Sequence, residues 1–317
     1  MTECMSIGSA AKLAVQGGNT PRTFDASSER YDFLYETLTY KQRRVGNRTI
    51  KGDLSDWKER NVQGASLVSG VIAFQASPSW FNAWQTRIIG DVDSSTTNDD
   101  GDTIYWPGTS LPSFDVMINR EAKTFHYKEC YVNRCIIRGQ SAVSEEEPEI
   151  LDVVVQLIGK SVDDAATWPA TEPDLGVTEN DLPYVIGLST LNAASASREY
   201  DSFVFSIDHG LITKFRNSLT LSCIRPGSRK VRLQTNNPFL ATSYGALHNT
   251  LASPISGVLT FNRGDAYTEL KFATLDNMGE DPNVRGKTEI PHSLDFQALK
   301  DGENDIPEVG ISTHLIA

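Results

Sequence analysis

The chain has 317 residues, of which 39% are hydrophobic and 22% charged, and its formal net charge is −12. This length allows one large domain or two of ordinary size, and the apolar fraction is too high for a disordered chain. A pI near 4.9 argues against a protein that holds nucleic acid by neutralising its phosphates, and no apolar run approaches the roughly 20 residues of a membrane-spanning helix.

Residues 1–48 are predicted to form an N-terminal arm. Met1 to Gln16 contains one Lys and no sustained apolar core, so we expect no secretory leader. Gly17 to Pro21 is a cluster of helix and strand breakers. The aromatic residues that follow, without a clean period, are Phe24, Tyr31, Phe33, Tyr35 and Tyr40. Such a segment suits docking on another surface, and it equally suits an edge strand of the same chain.

From Thr49 onward the pattern is mostly β. Short apolar or alternating segments that are bounded by turn residues predict strands. In chain order these segments are Val68–Gln75, Phe114–Asn119, Lys128–Arg138, Leu151–Ile158, Phe203–Ile207, Val231–Thr235, Gly257–Asn262, Glu269–Ala273 and Leu294–Leu299.

Two helices are predicted, and each follows a strand. The first begins at Ser77-Pro78, an N-cap followed by proline in the first turn, and ends at Gly90. Its apolar face comprises Phe81, Trp84 and Ile88. The second begins at Asn237-Pro238 in the same way, and its apolar face comprises Leu240, Tyr244 and Leu247.

This recurring order of elements suggests an internal duplication. A shift of 160 places Val71 on Val231 and Pro78 on Pro238, and a shift of 143 beyond the helix places Leu151 on Leu294. The difference falls in the polar loop 91–110, which is longer in the first copy. The predicted division is an arm over 1–48, a β module over 49–165, a linker over 166–183 and a second β module over 184–317. A chance alignment of two β-rich segments is the alternative.

No motif for catalysis occurs in the sequence. It contains no phosphate-binding glycine loop, zinc-protease helix or hydrolase nucleophile elbow, so we expect neither enzymatic activity nor a cofactor. The four cysteines lack metal-ligand spacing and are expected to be reduced. Cys130 and Cys135 lie five apart, which would place them on opposite faces of one strand.

Two charged clusters are weighed as sites. The loop Asp91–Asp102 contains five acids and suggests Asp99, Asp100 and Asp102 as weak calcium candidates, but no Glu occupies the twelfth position that an EF-hand needs. A solvated loop is therefore favoured, and no metal is expected. The basic cluster, which comprises Arg225, Arg229, Lys230 and Arg232, favours a solvated turn or a salt-bridged interface over a phosphate site.

Several segments in this order resemble the tail tube proteins of bacteriophages with long non-contractile tails. The resemblance covers about residues 20–310 and consists of the order of elements rather than a signature motif. The segments that carry it are Thr20–Tyr31, Ser69–Phe74 with the helix and Ile89-Gly90, Phe114–Asn119, Tyr127–Arg138, Glu149–Lys160, Phe203–Asn217 and Arg225–Arg232.

The resemblance implies a mainly β fold. It consists of two tandem tail-tube-like β-sandwich or barrel modules, each with one flanking α-helix, plus the N-terminal arm. Such subunits are structural virion proteins whose inner sheets join into rings, and the rings stack into a conduit for DNA ejection. Three chains would form a ring if the halves are duplicated, and six would if they are not.

The same resemblance implies the partners. They are further copies of the chain, the tape measure protein and DNA transiently in the lumen, and other tail proteins at the tube ends, with no membrane. The protein would be made in the host bacterial cytoplasm and reside in the virion tail. The contact candidates between subunits or rings are Arg22, Phe24, Tyr31, Phe33, Tyr35 and Trp106.

Two physical expectations accompany this role. The acid excess of both modules allows an acidic lumen that repels DNA phosphates. An arm that docks on the next ring could be deleted over residues 1–40 with the body still folded and ring stacking weakened.

Two other functions are retained as alternatives. Another phage tail ring protein, such as a tail completion or baseplate component, would share the fold. A carbohydrate-binding β-sandwich would use exposed tryptophans for sugar stacking, and the candidates are Trp57, Trp80, Trp106 and Trp168.

Overall fold

A computed structural model describes most of the chain. The described residues are 10–18, 22–46, 61–98, 101–141, 149–171, 178–238, 247, 254–279 and 291–316. They form mainly antiparallel β-structure, which confirms the predicted mainly β class.

The strands and the helix of the first part of the chain, in order, are β1 (Lys12–Gln16), β2 (Glu29–Tyr31), β3 (Tyr35–Glu36), β4 (Thr39–Gly46), β5 (Asn61–Gln75), α1 (Pro78–Ile89), β6 (Val92–Thr97), β7 (Thr103–Pro107), β8 (Phe114–Asn119), β9 (Thr124–Gln140), β10 (Asp152–Gly159) and β11 (Ser161–Asp163). Short 3₁₀ turns at Glu179–Asp181 and Ile186–Leu188 precede the second part.

The strands of the second part are β12 (Ser189–Ala193), β13 (Ala196–Arg198), β14 (Ser202–Asp208), β15 (Ile212–Lys214), β16 (Cys223–Arg225), β17 (Lys230–Pro238), β18 (Ile255–Arg263), β19 (Ala266–Asn277), β20 (Pro291–Leu299) and β21 (Gly310–His314). Every strand predicted from the sequence overlaps one of these elements, although Leu151 lies one residue before β10.

Helix α1 forms where its capping residues predict it. The Ser77 Oγ accepts a hydrogen bond from the Trp80 N–H at 3.2 Å, and Pro78 opens the first turn. Gly90 ends the helix with a φ of 100°, and a Cβ there would lie 2.6 Å from the Ser110 carbonyl oxygen. Both the backbone conformation and the close approach therefore require glycine at this position.

The structure describes only part of the second predicted helix. Asn237 and Pro238 belong to the end of β17. Residues 239–246 lie outside the described residues, whereas Leu247 is described and buried.

The N-terminal segment is not a separate arm over the residues that the structure describes. Strand β1 pairs with β8 and β2, and its Leu13, Ala14 and Val15 are fully buried. Strands β3 and β4 pair with β5. Over the described residues, the N-terminal segment therefore pairs with later strands of the same chain, and the burial of three consecutive apolar residues in β1 stabilises this pairing.

The predicted polar loop over 91–110 is largely a hairpin. Strands β6 and β7 pair with each other, and β7 also pairs with β21 through Ile311 opposite Tyr105. Three hydrogen bonds join the turn of the hairpin to Tyr267 and His314 of the sheet. Asp102 accepts hydrogen bonds from the Tyr267 hydroxyl and from His314 Nδ1, the latter at 2.9 Å, and the Asn98 side chain donates to the Tyr267 hydroxyl oxygen at 3.3 Å.

The core is built on aromatic side chains between α1 and the sheet. Trp84 lies 5.3 Å from Phe74 and stacks on Trp80 at 5.7 Å between ring centroids, and Phe81 stacks on Phe261 at 5.9 Å. Burial of large rings and such ring contacts both stabilise the fold. The helix therefore packs against strands from both parts of the chain.

The same order of strand pairing occurs twice. In the first part it is β2–β1–β8–β9–β10–β5, and in the second it is β13–β12–β18–β19–β20–β17. In the first hairpin, Val116 pairs with Tyr127. In the second hairpin, Leu259 pairs with Leu270, and each of these residues lies 143 positions after its counterpart in the first.

The register corrects one of the two sequence shifts. In the first series Phe74 pairs with Val153, and in the second Leu233 pairs with Phe296. Leu233 lies 159 positions after Phe74, and Phe296 lies 143 positions after Val153. All four are buried. The shift of 160 is therefore one residue too large, and a one-residue error in a strand exchanges its two faces.

A β-bulge changes the expectation for the cysteines. The register of β9 against β10 shifts between Arg134 and Val132, which leaves Asn133 as an extra residue. Cys130 and Cys135 therefore lie on the same buried face and are both fully buried free thiols. Strict alternation failed here because a bulge inserts one residue into the period of two.

Candidate functional site

A continuous sheet of eight strands is the main surface feature of the molecule. Its strand order is β3–β5–β10–β9–β14–β17–β20–β19, and neighbouring strands are antiparallel. One face of this sheet packs into the aromatic core. The opposite face, which we call the open face, carries the alternate side chains.

The period of two in the sequence separates these faces. In β14 the buried residues are Phe203, Phe205 and Ile207, while in β17 the buried Val231 and Leu233 alternate with exposed residues. The exposed members of β17 are Lys230, Arg232, Gln234 and Asn236. Alternation of apolar and polar residues is typical of a sheet with one face in a core and the other accessible.

The registers place eight residues in one row across the open face, because directly opposed residues of antiparallel strands point to the same side. In order from β3 to β19 they are Tyr35, Ala73, Val154, Ile136, Ser206, Arg232, Gln297 and Asp276. The first four belong to the first pairing series and its edge strand β3, and the last four belong to the second series and β14.

The joint between β9 and β14 connects the two halves of the row. Ile136 pairs with Ser206 on the open face, and Ile137 pairs with Phe205, both fully buried, on the core face. Gly139 opposes Phe203, and a Cβ on Gly139 would lie 2.8 Å from the Phe203 ring. The halves thus join through backbone pairing and a tightly packed apolar layer.

Charges on the open face of β9, β10, β14, β17, β19 and β20 are balanced. The basic residues are Arg134, Arg138, Lys230 and Arg232, and the acidic ones are Asp152, Asp208, Asp276 and Asp295. Arg138 and Asp152 form an exposed ion pair at 3.1 Å. The acid excess of the chain therefore lies elsewhere, and this face does not have the acidic character that the net charge suggested.

Arg22 is a buried anchor within the chain. Its side chain is 3% exposed, and its guanidinium lies 2.9 Å from Asp115 and donates to the Ser113 carbonyl at 2.8 Å. His126 Nε2 donates to the other Asp115 oxygen at 2.7 Å. Burial alone would raise the pKa of Asp115, but hydrogen bonds from His126, the Glu129 N–H and Arg22 hold that pKa below its ordinary value.

Most of the other contact candidates are also engaged internally. Phe24 meets the edge of the His126 ring at 5.1 Å, and Tyr31 lies 5.8 Å from Trp84. Phe33 is half-buried against the core. Tyr35, by contrast, is 47% exposed.

Trp106, another contact candidate, is buried within the chain. It is 8% exposed, and its indole N–H donates to the Thr96 hydroxyl at 3.0 Å. Because Trp80 is also buried, neither ring is accessible for stacking on a sugar. Of the other two tryptophans considered for sugar stacking, Trp57 lies outside the described residues and Trp168 is half-buried.

The calcium candidates are divided by the structure. Asp99 and Asp100 lie outside the described residues. Asp102 bonds Tyr267 and His314; burial would raise its pKa, but those hydrogen bonds hold the pKa below its ordinary value. Within the described ranges, no three His, Cys, Asp or Glu side chains are grouped to hold a metal ion.

The structure divides the basic cluster: Arg229 is salt-bridged, whereas Lys230 and Arg232 belong to strand β17 rather than to a turn. The Arg229 guanidinium lies 3.0 Å from Glu308 and donates to the Gly108 carbonyl at 3.1 Å. Lys230 and Arg232 lie exposed on the open face.

Neither a protein-family model nor a curated protein matches this chain. In the part of the chain that the structure describes, no helix has the length and apolar character needed to cross a bilayer.

Sequence reasoning missed the residues at the joint and at the ends of the row. Ile136, Ser206, Asp276 and Met278 carry no motif. Their alternation predicts which face they occupy, but the pairing of β9 with β14 joins residues about 70 positions apart, and such long-range pairing has no local sequence pattern.

Proposed function

We propose that this chain is a structural virion protein, the major subunit of a bacteriophage tail tube, and that it assembles into stacked rings around a DNA conduit. The observation that carries the proposal is the eight-stranded sheet with a core on one side and an accessible face on the other. Its row of eight residues divides into two halves with equivalent pairing. At one end of this sheet, β3 pairs with β5 alone among the described strands, and such a strand edge can pair with another copy when a ring closes.

The repeated pairing order supports two tandem tail-tube-like modules in each chain, joined between β9 and β14. Helix α1 flanks the first module, and most of the corresponding segment of the second lies outside the described residues. Two modules per chain favour three chains per ring. Three chains would supply 24 strands, which at about 4.8 Å per strand gives a circumference of about 115 Å before strand tilt enlarges it.

The open face has the chemistry of a lumen that does not retain DNA. Its charges balance, and Gln156, Gln234, Asn236 and Gln297 add uncharged polar groups. A lining without a net positive field gives phosphates no long-range attraction. In this proposal the tape measure protein and then DNA pass through the lumen transiently.

The proposal also includes the partners of the protein and the place where it acts. The partners are further copies of the chain in rings and in stacked rings, with other tail proteins at the tube ends. The protein is made in the host bacterial cytoplasm and becomes part of the virion tail. It has no enzymatic activity in this role.

Electron microscopy of the purified full-length chain, together with mass photometry, tests the proposal. We expect closed rings with threefold symmetry and stacks of such rings. A strictly monomeric species at the highest soluble concentration would overturn the proposal. Single rings that never stack would instead support a tail completion or baseplate component.

A further inference from the structure

A two-stranded hairpin lies outside the eight-stranded sheet. Among the described strands, β15 and β16 pair only with each other and form a sheet of their own. A hairpin of two strands is marginally stable in water unless it packs against something else. This hairpin is held on one side, where the Ser66 N–H donates to the Leu219 carbonyl at 2.9 Å and Leu221 is buried.

The outer face of the hairpin combines an apolar side chain with two cations. Ile212 pairs with Arg225 and Lys214 pairs with Cys223. Directly opposed and alternate residues of a strand pair point to the same side, so these four side chains share one face. Ile212 is 51% exposed, and Lys214 and Arg225 are exposed as well.

The tip of the hairpin adds a third cation and a second apolar side chain. Arg216 and Asn217 have positive φ angles of 33° and 60°, and the Ser218 N–H donates to the Phe215 carbonyl at 2.8 Å. A tight turn of this kind fixes the conformation of the tip before any partner binds. Leu219, beside the turn, is 51% exposed.

The charges of this hairpin are not compensated within the described part of the chain. Residues 211–228 contain three bases and no acid. Across the described ranges, Lys214, Arg216 and Arg225 form no ion pair. Exposed apolar side chains among unpaired cations favour a partner surface that is apolar at its centre and acidic around it.

Acids at the same end of the sheet have other partners. Glu308 pairs with Arg229 at 3.0 Å, and Asp305 pairs with Lys300. Asp208, at the end of β14, accepts a hydrogen bond from the Gly210 N–H at 2.8 Å.

The opposite end of the same strands carries an acidic patch. We define it as Glu149, Glu179, Asp181, Glu199 and Asp201. Asp201 directly precedes β14, the Ile186 N–H donates to the Glu149 carbonyl at 2.8 Å, and the Asn237 side chain donates to the Glu199 carbonyl at 2.7 Å. Because the hairpin follows the other end of the seven-residue β14, the patch and the hairpin are separated by about 20 Å, at about 3.3 Å per residue.

The acidic patch also exposes apolar side chains. Leu182 is 42% and Leu188 50% exposed, and both belong to the segment that contains the 3₁₀ turns. Residues 178–201 contain four acids and one base, Arg198, whose guanidinium donates to the Ala193 carbonyl at 3.0 Å. Patch and hairpin are therefore complementary, since each has two exposed apolar side chains beside charges of one sign.

We propose that the hairpin β15–β16 of one copy binds the acidic patch of a second copy, head to tail. Since the two surfaces lie at opposite ends of the same strands, successive copies follow one another along the strand direction. A head-to-tail contact that does not close on itself repeats without limit. This inference rests on the proposed function, because it names the contact through which successive rings would stack.

Charge reversal on either surface tests the contact in the full-length chain. The hairpin variant is Lys214→Glu with Arg216→Glu and Arg225→Glu. The patch variant is Glu179→Lys with Glu199→Lys and Asp201→Lys. All six side chains are exposed in the single chain, so both variants should fold like the parent. Each alone should weaken stacking at least about tenfold in sedimentation velocity, because like charges then meet at the contact.

Mixing the two variants should restore the stacks. The glutamates of the hairpin variant then meet the lysines of the patch variant, while the unchanged patch of the first meets the unchanged hairpin of the second. One chain that carries all six substitutions should stack for the same reason. If the mixture and the sixfold variant both fail to stack although circular dichroism shows them folded, the head-to-tail contact is wrong.

A third variant controls for net charge. It is Lys123→Glu with Lys128→Glu and Lys160→Glu, whose lysines form exposed or half-exposed pairs with Asp164, Asp163 and Glu129. It changes the net charge by as much as the hairpin variant does and should leave stacking unchanged. An equal loss of stacking in this control would overturn the assignment of the contact to the hairpin.

Electron microscopy of the same samples separates this inference from the proposed function. Single rings of the hairpin variant beside stacked rings of the parent would support both. Stacks that survive both charge reversals would overturn the contact but leave the tube proposal standing. Filaments of single copies without rings, lost in the hairpin variant, would support the contact and overturn the tube. A parent chain that forms neither rings nor filaments would overturn both.

Discussion

Replacement of Asp115 by Asn should destabilise the folded chain by about 3 kcal/mol at neutral pH, because it removes the carboxylate that pairs with the buried Arg22 guanidinium and bonds the His126 ring. Asp115 is 4% exposed. It accepts from Arg22 at 2.9 Å, from His126 at 2.7 Å and from the Glu129 N–H at 2.9 Å.

The magnitude follows from the burial of Arg22. Breaking a buried ion pair by removing one partner costs about 3–5 kcal/mol, since a desolvated charge is left uncompensated. Asparagine retains one acceptor oxygen, which places the expected loss at the lower end. The Glu129 N–H bond also supports a bulge, because Glu129 has a φ of 50° where two residues of β9 oppose Asp115.

The effect should depend on pH with a defined sign. The pKa of Asp115 is lowered in the folded chain, so its contribution is present above the ordinary carboxyl pKa, about 3.9, and is lost as pH falls through the folded value. The difference between the parent chain and Asp115→Asn should therefore be largest near neutrality and shrink in acid.

Equilibrium unfolding in urea, followed by tryptophan fluorescence at several pH values, measures this difference. The matched control is Asp164→Asn, which removes the same charge from an exposed pair with Lys123 at 3.0 Å and should cost no more than about 1 kcal/mol. If Asp115→Asn and Asp164→Asn lower the free energy of unfolding equally, the buried cluster does not have the role assigned to it.

Three further predictions concern the core. Deleting residues 1–18 should abolish cooperative folding, measured by circular dichroism and proteolysis, because it removes β1 with the buried Leu13, Ala14 and Val15; a folded truncated body would restore the arm hypothesis. Burial raises the pKa of the Cys130 and Cys135 thiols, so a thiol reagent at pH 8 should label Cys223 but leave both unmodified until denaturant is added, and early labelling would contradict their burial. Gly139→Ala should cost about 1–3 kcal/mol in urea unfolding, since its Cβ would lie 2.5 Å from Leu151, whereas Gly302→Ala, with no atom within 4 Å, is the control.

Local physics accounts for what was predicted well. Alternation of apolar and polar residues placed the strands, because the side-chain period of two depends only on neighbouring residues. The N-cap Ser77, Pro78 and the terminal Gly90 placed α1 for the same reason. The series of such short segments from Thr49 onward was enough to predict a mainly β chain.

Interactions between residues far apart in the chain account for the features that the sequence did not predict. Arg22 and Tyr31 lie in a segment with the composition of an arm, but Asp115 and Trp84, far along the chain, bury them. The extra residue Asn133 in β9 places Cys135 on the face of the strand opposite to the one expected. The pairing of Leu233 with Phe296 gives a shift of 159 residues between the two strand series, where the sequence suggested 160.

The sequence by itself therefore determined the mainly β class, nine of the strands, helix α1 and which side chains alternate in those strands, because each depends on short-range geometry. The tertiary structure alone decided the joint between β9 and β14, the row that ends at Tyr35 and Asp276, and the balanced charge of the open face. Strand register is set by the packing of a whole sheet against its core, and that energy is shared among residues tens of positions apart.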